Sequence, residues 1–565
     1  MSPLAQERAD ILVVGGGAAG CRAAIECAES SREVILASKF PLGQAGATVV
    51  AESFYAAPLG RSDVSDGPEP YLQDMIASGC RLCDRPLAAE LAGESCDRVQ
   101  DLRRYGVKFK EGHDGRLMQL TGPGHSHPRG LVPVRGGLGI LRGLQRELKR
   151  SPRVHIIEDL VITKILTDSL SERVVGAVGL DLRKGRPVVI ASKAVIIATG
   201  GYSRIWSYND VPCDCTGSGL ALAYHAGADL VDMEMALFYP TVVIHPPILY
   251  GLEMPHGLLL EHVGGKLLNG RYHEFVPKQI PTRDVMVALI YRELARGNGS
   301  LHGGVYLDIS KSCLSRKELR DRLKIYLPEK YRFLLKHGVD LAREPLEVAP
   351  MAHYTLGGVK IDPSCRTRVG GLLAAGEASG NVHGANRLAG NALPETQVFG
   401  AKAGEVAVKW ARENDYSGLN PGEVDAEIRR LETFFEPRRD AIRPAALKET
   451  LQDLMWRYVG VERERESLQA AIEEIGRMKT CALGRMAIPP VREFNVGWLE
   501  ALEVCNMLDL AEIVGRSALM REETRGHHFR SDFPERDDSK WVKHIVAGKN
   551  GEAAALWTEP VNETE

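Results

Sequence analysis

Ile11-Leu12-Val13-Val14-Gly15-Gly16-Gly17-Ala18-Ala19-Gly20 sets the fold of this chain. Four consecutive apolar residues read as a strand covered on both faces, since a strand with one wet face would alternate. The run stops at a turn that fits G-x-G-x-x-G; Cys21 to Glu29 then read as a helix and Val34 to Ala37 as a second strand. In such a unit Gly15 makes the turn, Gly17 admits a pyrophosphate and Gly20 lets helix pack on strand. Ala18 and Ala19 open the helix, whose free N–H groups and partial positive charge face the phosphate. The acid that usually ends the second strand is missing, and Ser38-Lys39 stands there instead, which weakens the case for NAD.

Further along, Ala194 to Ala198 is another buried strand, ending in Thr199-Gly200-Gly201, and Gly371 to Ala375 is a third, ending at Gly376-Glu377. Each alone could be an ordinary strand end. In this order the three fit the cradle of an FAD protein, with Glu377 placed to hydrogen-bond ribityl or ribose hydroxyls. Val154–Ile157 and Val174–Leu182 also read as strands. From Met233 to about Val348 the chain changes character, with many His and Pro residues and no strand–helix rhythm. A helix is expected from about Glu395 to Asn414. Helical segments follow near Val424–Glu436, Pro444–Val459 and Glu462–Lys479, and after Arg521 a polar tail lies over the body. The fold class expected is α/β: an FAD-binding Rossmann-like domain (residues 1–232 and 346–412) interrupted by an inserted capping domain (233–345). A helical C-terminal domain (413–520) and a tail (521–565) follow.

Composition narrows the function. Lys and Arg total 71 against 74 Asp and Glu in 565 residues, a net charge of −3 that argues against a nucleic-acid or anionic-membrane binder. Hydrophobic content of 44% and charged content of 26% belong to a globular chain, not a disordered one. No apolar stretch approaches the ~20 residues of a membrane span, so any membrane contact is expected only through partners. Met1–Asp10 is polar and runs into the first strand, so no signal peptide is expected. Eleven scattered Cys make a disulfide framework improbable, and a reducing cytoplasm is the expected location.

Several ordered motifs carry a resemblance. They are Thr216-Gly217-Ser218-Gly219, Phe238-Tyr239-Pro240-Thr241, Thr282-Arg283-Asp284-Val285 and Ala352-His353-Tyr354-Thr355-Leu356-Gly357-Gly358. Most specific are His383-Gly384-Ala385-Asn386-Arg387-Leu388-Ala389-Gly390-Asn391-Ala392-Leu393 and the tail from Arg525-Gly526-His527-His528 to Glu535-Arg536-Asp537-Asp538. Over nearly its whole length the chain resembles the flavoprotein subunits of succinate dehydrogenase and fumarate reductase, together with L-aspartate oxidase. The resemblance implies an FAD-dependent oxidoreductase: hydride moves between flavin N5 and one carbon, and an Arg passes a proton to its neighbour. By motif that Arg is Arg283, while His353 and Arg387 match ligands of the substrate carboxylate and Tyr239 stands where the family has a His. Arginine is a poor acid, so the role needs close contact and a proton relay. The alternative for Arg283 is a helix-start ion pair with Asp284. The resemblance also implies FAD contacts at Ser38, Lys39, Gly46, Ala47, Thr48, Thr199, Gly200, Glu377, Arg387, Asn391, Ala392 and Leu393. It further implies a separate iron–sulfur electron-transfer subunit.

The departures restrict the chemistry. Covalent members carry a His in the loop after the second strand; here Phe40 to Val50 holds none, so FAD is expected to be noncovalent. Loss of that bond lowers the flavin potential, favouring substrate reduction or slow re-oxidation over succinate oxidation. The loop's Gly46-Ala47-Thr48 looks closer to the aspartate oxidases. Those enzymes, however, place an acid just before Gly-His-Ser-His, whereas this chain has Leu120-Thr121-Gly122-Pro123-Gly124-His125-Ser126-His127, which argues against aspartate. The family's Thr-Glu-Gly-x-Arg-Gly segment, aligned backward from Gly264-Gly265, falls on Gly257-Leu258-Leu259-Leu260-Glu261. A Leu-lined pocket would desolvate a second carboxylate at a cost of several kcal/mol. The expected substrate is therefore an unsaturated or saturated acid, or its thioester, rather than a standard C4-dicarboxylate. The alternatives are a stand-alone, aspartate-oxidase-like flavin oxidase or dehydrogenase, a true fumarate reductase, and a flavin-binding scaffold or RNA-modifying protein with a decayed site. No metal site is expected: Cys80-Arg81-Leu82-Cys83 lacks a second pair, and Cys213 and Cys215 read as loop cysteines.

Overall fold

A computed structural model describes residues 5–30, 32–52, 54–60, 63–112, 114–168, 171–551 and 553–563. Of the polar leader Met1–Asp10, residues 1–4 lie outside the described residues. The opening stretch forms strand β1 (Ile11–Val14), buried at every position, then helix α1 (Ala18–Glu29) and strand β2 (Val34–Ser38). With β3 (Val154–Glu158), β4 (Ala194–Ile197) and β5 (Leu372–Ala374) they make a parallel sheet in the order β5-β4-β1-β2-β3. Helices on its faces explain why β1, β4 and β5 are apolar throughout, whereas the edge strand β3 carries His155 and Glu158. A Cβ on Gly20 would lie 1.9 Å from the Gly15 carbonyl oxygen, so the first turn of α1 can seat on the turn only with glycine there. Helix Ala392–Glu413 packs against α1 as closely: a Cβ on Gly404 would meet the Ala23 carbonyl at 2.8 Å.

The chain leaves this unit along strand Ala236–His245 and returns along Leu346–Thr355, antiparallel to it. Val305–Asp308 and Lys266–Leu268 complete a four-stranded sheet. That sheet and helices Arg283–Ala295, Arg316–Tyr326 and Pro328–Lys336 enclose an apolar cluster including Val243, Leu259, Met286, Leu307 and Leu334, separate from the cluster under the parallel sheet. Pairing of the outgoing and returning strands sets Tyr239 opposite Met351, two residues from His353.

Beyond residue 420 come helices Pro421–Glu432, Pro444–Val459, Arg465–Arg477 and Val496–Met520. The last and longest shows no clean amphipathic stripe, because it is buried on most sides, by Trp498, Leu502, Met507, Leu510 and Val514 among others. The tail is more than a strap. Lys543–Asn550 and Ala553–Pro560 form a hairpin that joins Leu230–Val231 and Gly358–Val359 in a four-stranded antiparallel sheet. The molecule is thus an α/β protein with a Rossmann-like nucleotide-binding unit and a C-terminal helical part. Among the described residues no helix is long and apolar enough to cross a membrane.

Candidate active site

A cavity of about 1320 Å³ opens where the parallel strands end, between the sheet and the inserted unit. The Gly15 turn forms its floor. Gly15 has φ +119° and a Cβ there would lie 2.2 Å from the Ala198 carbonyl oxygen, whereas Gly17 faces open space, its nearest neighbour being Thr48 Oγ at 3.6 Å. The first turn of α1 carries no acid and no side-chain cap, so its positive end is free for an anion. Ala18 N–H alone is taken, by Thr48 Oγ at 3.2 Å. The buried Thr199 hydroxyl has no partner, and nothing comes within 4 Å of a Cβ on Gly200. A glycine cradle, a free helix end and an orphaned hydroxyl fit the pyrophosphate and sugar of FAD.

Gly15, Gly17, Ala18, Ala19, Ser38, Lys39, Gly46, Ala47, Thr48, Thr199, Gly200, Glu377, Ala392 and Leu393 all line this cavity. Gly20 and Asn391 do not: Gly20 packs helix on strand, and buried Asn391 accepts a hydrogen bond from the Tyr71 hydroxyl at 2.7 Å. Lys39, which stands where an acid is usual at the end of β2, pairs with Glu503 of the longest helix at 2.7 Å. Glu377 accepts from the Thr355 N–H at 2.9 Å, and burial raises its carboxyl to about 7 against that bond.

Arg283, His353 and Arg387 line the same cavity. Arg283 heads its helix without an ion pair within 4 Å among the described residues; neighbouring Asp284 instead accepts from Asn386 at 3.3 Å. Buried Nε and Nη1 of both Arg283 and Arg387 have no partner among the described residues. Burial, and next the charge of Arg283, pulls the Arg387 guanidinium below its usual range, so the two cations lack an anion between them. Arg387 lies over the Tyr354 ring at 4.4 Å, and the Tyr354 hydroxyl binds Glu395.

Tyr239 is not on the wall. It sits beneath it, 2% exposed, with its ring 4.9 Å from that of His353, 5.6 Å from that of His256 and 5.3 Å from the Arg283 guanidinium. Its hydroxyl engages Glu253. The backward alignment onto Gly257–Glu261 needs correction: those residues form helix His256–Glu261 and none lines the cavity, while Leu252 and Glu253 do. Leu252-Glu253-Met254-Pro255-His256-Gly257 keeps the acid and final glycine of Thr-Glu-Gly-x-Arg-Gly, with His in place of Arg. Burial alone would raise the Glu253 carboxyl, but Lys330, His353, the Tyr239 hydroxyl and Arg283 bring it down to about 2. Asp210, equally unforeseen, holds His353 Nδ1 at 2.9 Å.

The other candidates lie apart. His125 Nε2 lies 2.7 Å from the Ala389 carbonyl and His127 Nδ1 2.8 Å from the Ser126 hydroxyl, neither on the wall. Cys80 and Arg81 form a left-handed turn beyond a helix end (φ +55° and +62°), and the Cys215 thiol is pushed far up by burial, which makes it inert. Among the described residues no group of three or more His, Cys, Asp or Glu could hold a metal ion.

Comparison with known proteins gives concordant matches. Residues 10–393 match the FAD binding domain family, and residues 448–565 match the fumarate reductase flavoprotein C-terminal family. The chain is 37% identical over 549 residues to a fumarate reductase (CoM/CoB) subunit of Methanothermobacter marburgensis, covering 96% of this chain and 97% of that one. It is 30% identical over 590 residues to the succinate dehydrogenase flavoprotein subunit of Coxiella burnetii, covering 100% and 97%. Mycobacterium smegmatis Sdh1, solved in complex with UQ1, superimposes with a TM-score of 0.89 at 32% identity over 99% of this chain and 95% of that one.

Proposed function

The chain belongs to the flavoprotein family of fumarate reductase and succinate dehydrogenase, and on that premise we propose that it reduces or forms a C=C bond beside a substrate carboxyl or thioester group. It is an FAD-dependent oxidoreductase of the class that acts on CH–CH groups. The observation that carries the proposal is the pair of guanidinium groups on one cavity, Arg283 and Arg387, whose buried Nε and Nη1 atoms have no protein partner among the described residues. Buried charges without partners are costly, and an anionic substrate supplies the missing charge.

Bound FAD supplies hydride exchange with one substrate carbon. Arg387 and His353 hold the carboxylate and polarise the adjacent bond. Arg283 passes a proton to or from the neighbouring carbon. Glu253 is the next carrier, with Lys330 beyond it. Lys330 pairs with Glu52 at 3.0 Å, and the Glu52 side chain is half exposed, so charged groups lead from Arg283 to solvent.

The cavity wall also carries the apolar side chains of Ile248, Leu249 and Leu252, which offer a second carboxylate no hydrogen-bond donor. This supports a bulkier or less polar substrate than a C4-dicarboxylate. A true fumarate reductase is the second reading, favoured by the Glu253 register and by the methanogen relative. Anaerobic re-oxidation of the reduced flavin separates the two. Fast turnover with cinnamate or crotonyl thioester and silence with fumarate are expected; rapid re-oxidation by fumarate would establish the second reading.

The flavin is held noncovalently in this proposal. His353, already engaged by Asp210, is the one histidine on the cavity wall among the described residues. Acid precipitation should release essentially all the flavin into the supernatant; yellow colour retained in the washed pellet would overturn this. The proposed electron partner is an iron–sulfur subunit, supported by two relatives of matching length that are themselves named as subunits. Fast re-oxidation of the isolated chain by air would point instead to a stand-alone oxidase.

A further inference from the structure

The two oxygens of Asp210 lie 2.9 and 3.1 Å from Nδ1 of His353, and the Asp210 side chain is only 2% exposed. Backbone pairing fixes this contact. Ala352 N–H donates to the Tyr208 carbonyl at 3.0 Å and Asp210 N–H to the Ala352 carbonyl at 3.2 Å, so the 208–210 loop runs beside the strand that carries His353. Asn209 anchors the loop from the other side through the Trp206 carbonyl at 2.7 Å. No protein group among the described residues hydrogen-bonds His353 Nε2, and His353 lines the cavity.

The arrangement restricts what His353 can offer a substrate. With its Nδ1 proton given to Asp210, a neutral imidazole presents only a lone pair at Nε2, and a lone pair repels a carboxylate. While Nδ1–H donates to the Asp210 carboxylate, Nε2 donates to an anion only when the ring carries both protons. Glu253 and Glu377 also act on His353, and Arg283, Arg387 and His527 face the same region. Asp210 alone touches the ring nitrogen.

We propose that Asp210 is a positioning residue that fixes the His353 ring through Nδ1–H and sets its carboxylate behind the imidazolium whose Nε2–H binds the substrate carboxylate. The inference rests on the carboxylate reading of the cavity. It assigns specificity to a charge, not to a shape. An isosteric Asn at 210 could still accept from Nδ1–H and hold the ring in place, but it would supply no countercharge. A purely structural Asp210 would tolerate that exchange.

The test uses the FAD-loaded full chain and the perturbation of the flavin spectrum by fumarate, crotonate, cinnamate and the uncharged crotonamide. Asp210→Asn should raise the Kd of whichever carboxylate binds by about tenfold, the scale of losing a charged partner behind a histidine ligand, and leave crotonamide binding unchanged. Flavin content and thermal midpoint report that the variant folds. In a His353→Gln background the further change Asp210→Asn should have no effect, since the residue acts through the imidazole. Equal carboxylate Kd values for the wild type and Asp210→Asn, or a tenfold loss that persists without His353, overturn the inference alone. Failure of every carboxylate to bind the wild type overturns the cavity reading and the inference with it.

Discussion

Arg283→Gln should lower kcat by about 10³-fold, within the range for loss of a positioned proton donor, while flavin content stays at the wild-type level. The flavin cradle is built from the Gly15 turn, the head of α1 and the start of helix Ala392–Glu413, and Arg283 belongs to none of these. Arg283 enters from the inserted unit and makes no ion pair within 4 Å among the described residues, so its removal leaves no close partner exposed. Glu253 would lose one of the groups that hold it down, but Lys330, the larger contributor, remains. The change should therefore fall on kcat, with KM for the carboxylate rising only severalfold because Arg387 and His353 are still present. Arg283→Lys keeps the charge but not the fork of donors and should be nearly as slow. A Gln variant with half the wild-type kcat would remove Arg283 from the proton path.

What the sequence disclosed depended on how local each signal was. β1, α1 and β2 announce themselves within thirty residues because apolar run, glycine turn and helix follow one another. The tail hairpin does not, for its strand Lys543–Asn550 finds its partner at Leu230–Val231, far back in the chain. Helix Val496–Met520 was hidden by its burial, which erases the polar face that a periodicity search needs. In the site, Arg283, His353 and Arg387 stand in recognisable motifs. Glu253 was missed because counting backward from Gly264-Gly265 put the motif on Gly257–Glu261. Asp210 and Glu503 reach their partners across 143 and 464 residues, a distance at which no spacing rule operates.

The largest expected effect on stability lies outside the cavity, at His544. Its Nδ1 contacts Asp232 and its Nε2 contacts Asp84 at 3.1 Å, with the imidazole 2% exposed. Asp232 also takes Arg521 at 3.2 Å and the Ile545 N–H at 2.9 Å, while Asp84 takes Asn381 at 2.7 Å. One imidazolium thus ties the tail hairpin to the nucleotide-binding unit. Burial alone would lower its pKa, yet the two carboxylates raise it from 6.5 to about 10. The folded value lies above the unfolded one, so this stabilisation is complete below about pH 6.5 and is lost as pH rises through about 10. The Asp84 carboxyl is held below its usual range, and its share is lost instead as pH falls. His544→Gln leaves the Asp84 carboxylate without a cation and Asp232 with Arg521 alone, and should cost about 3 kcal/mol at pH 7. Between pH 7 and 10 the wild type should lose stability more steeply than the variant, by at most about 1.4 kcal/mol per pH unit for one proton. The two denaturation curves should therefore converge towards pH 10; parallel curves across that range would mean that His544 carries no charge in the folded protein.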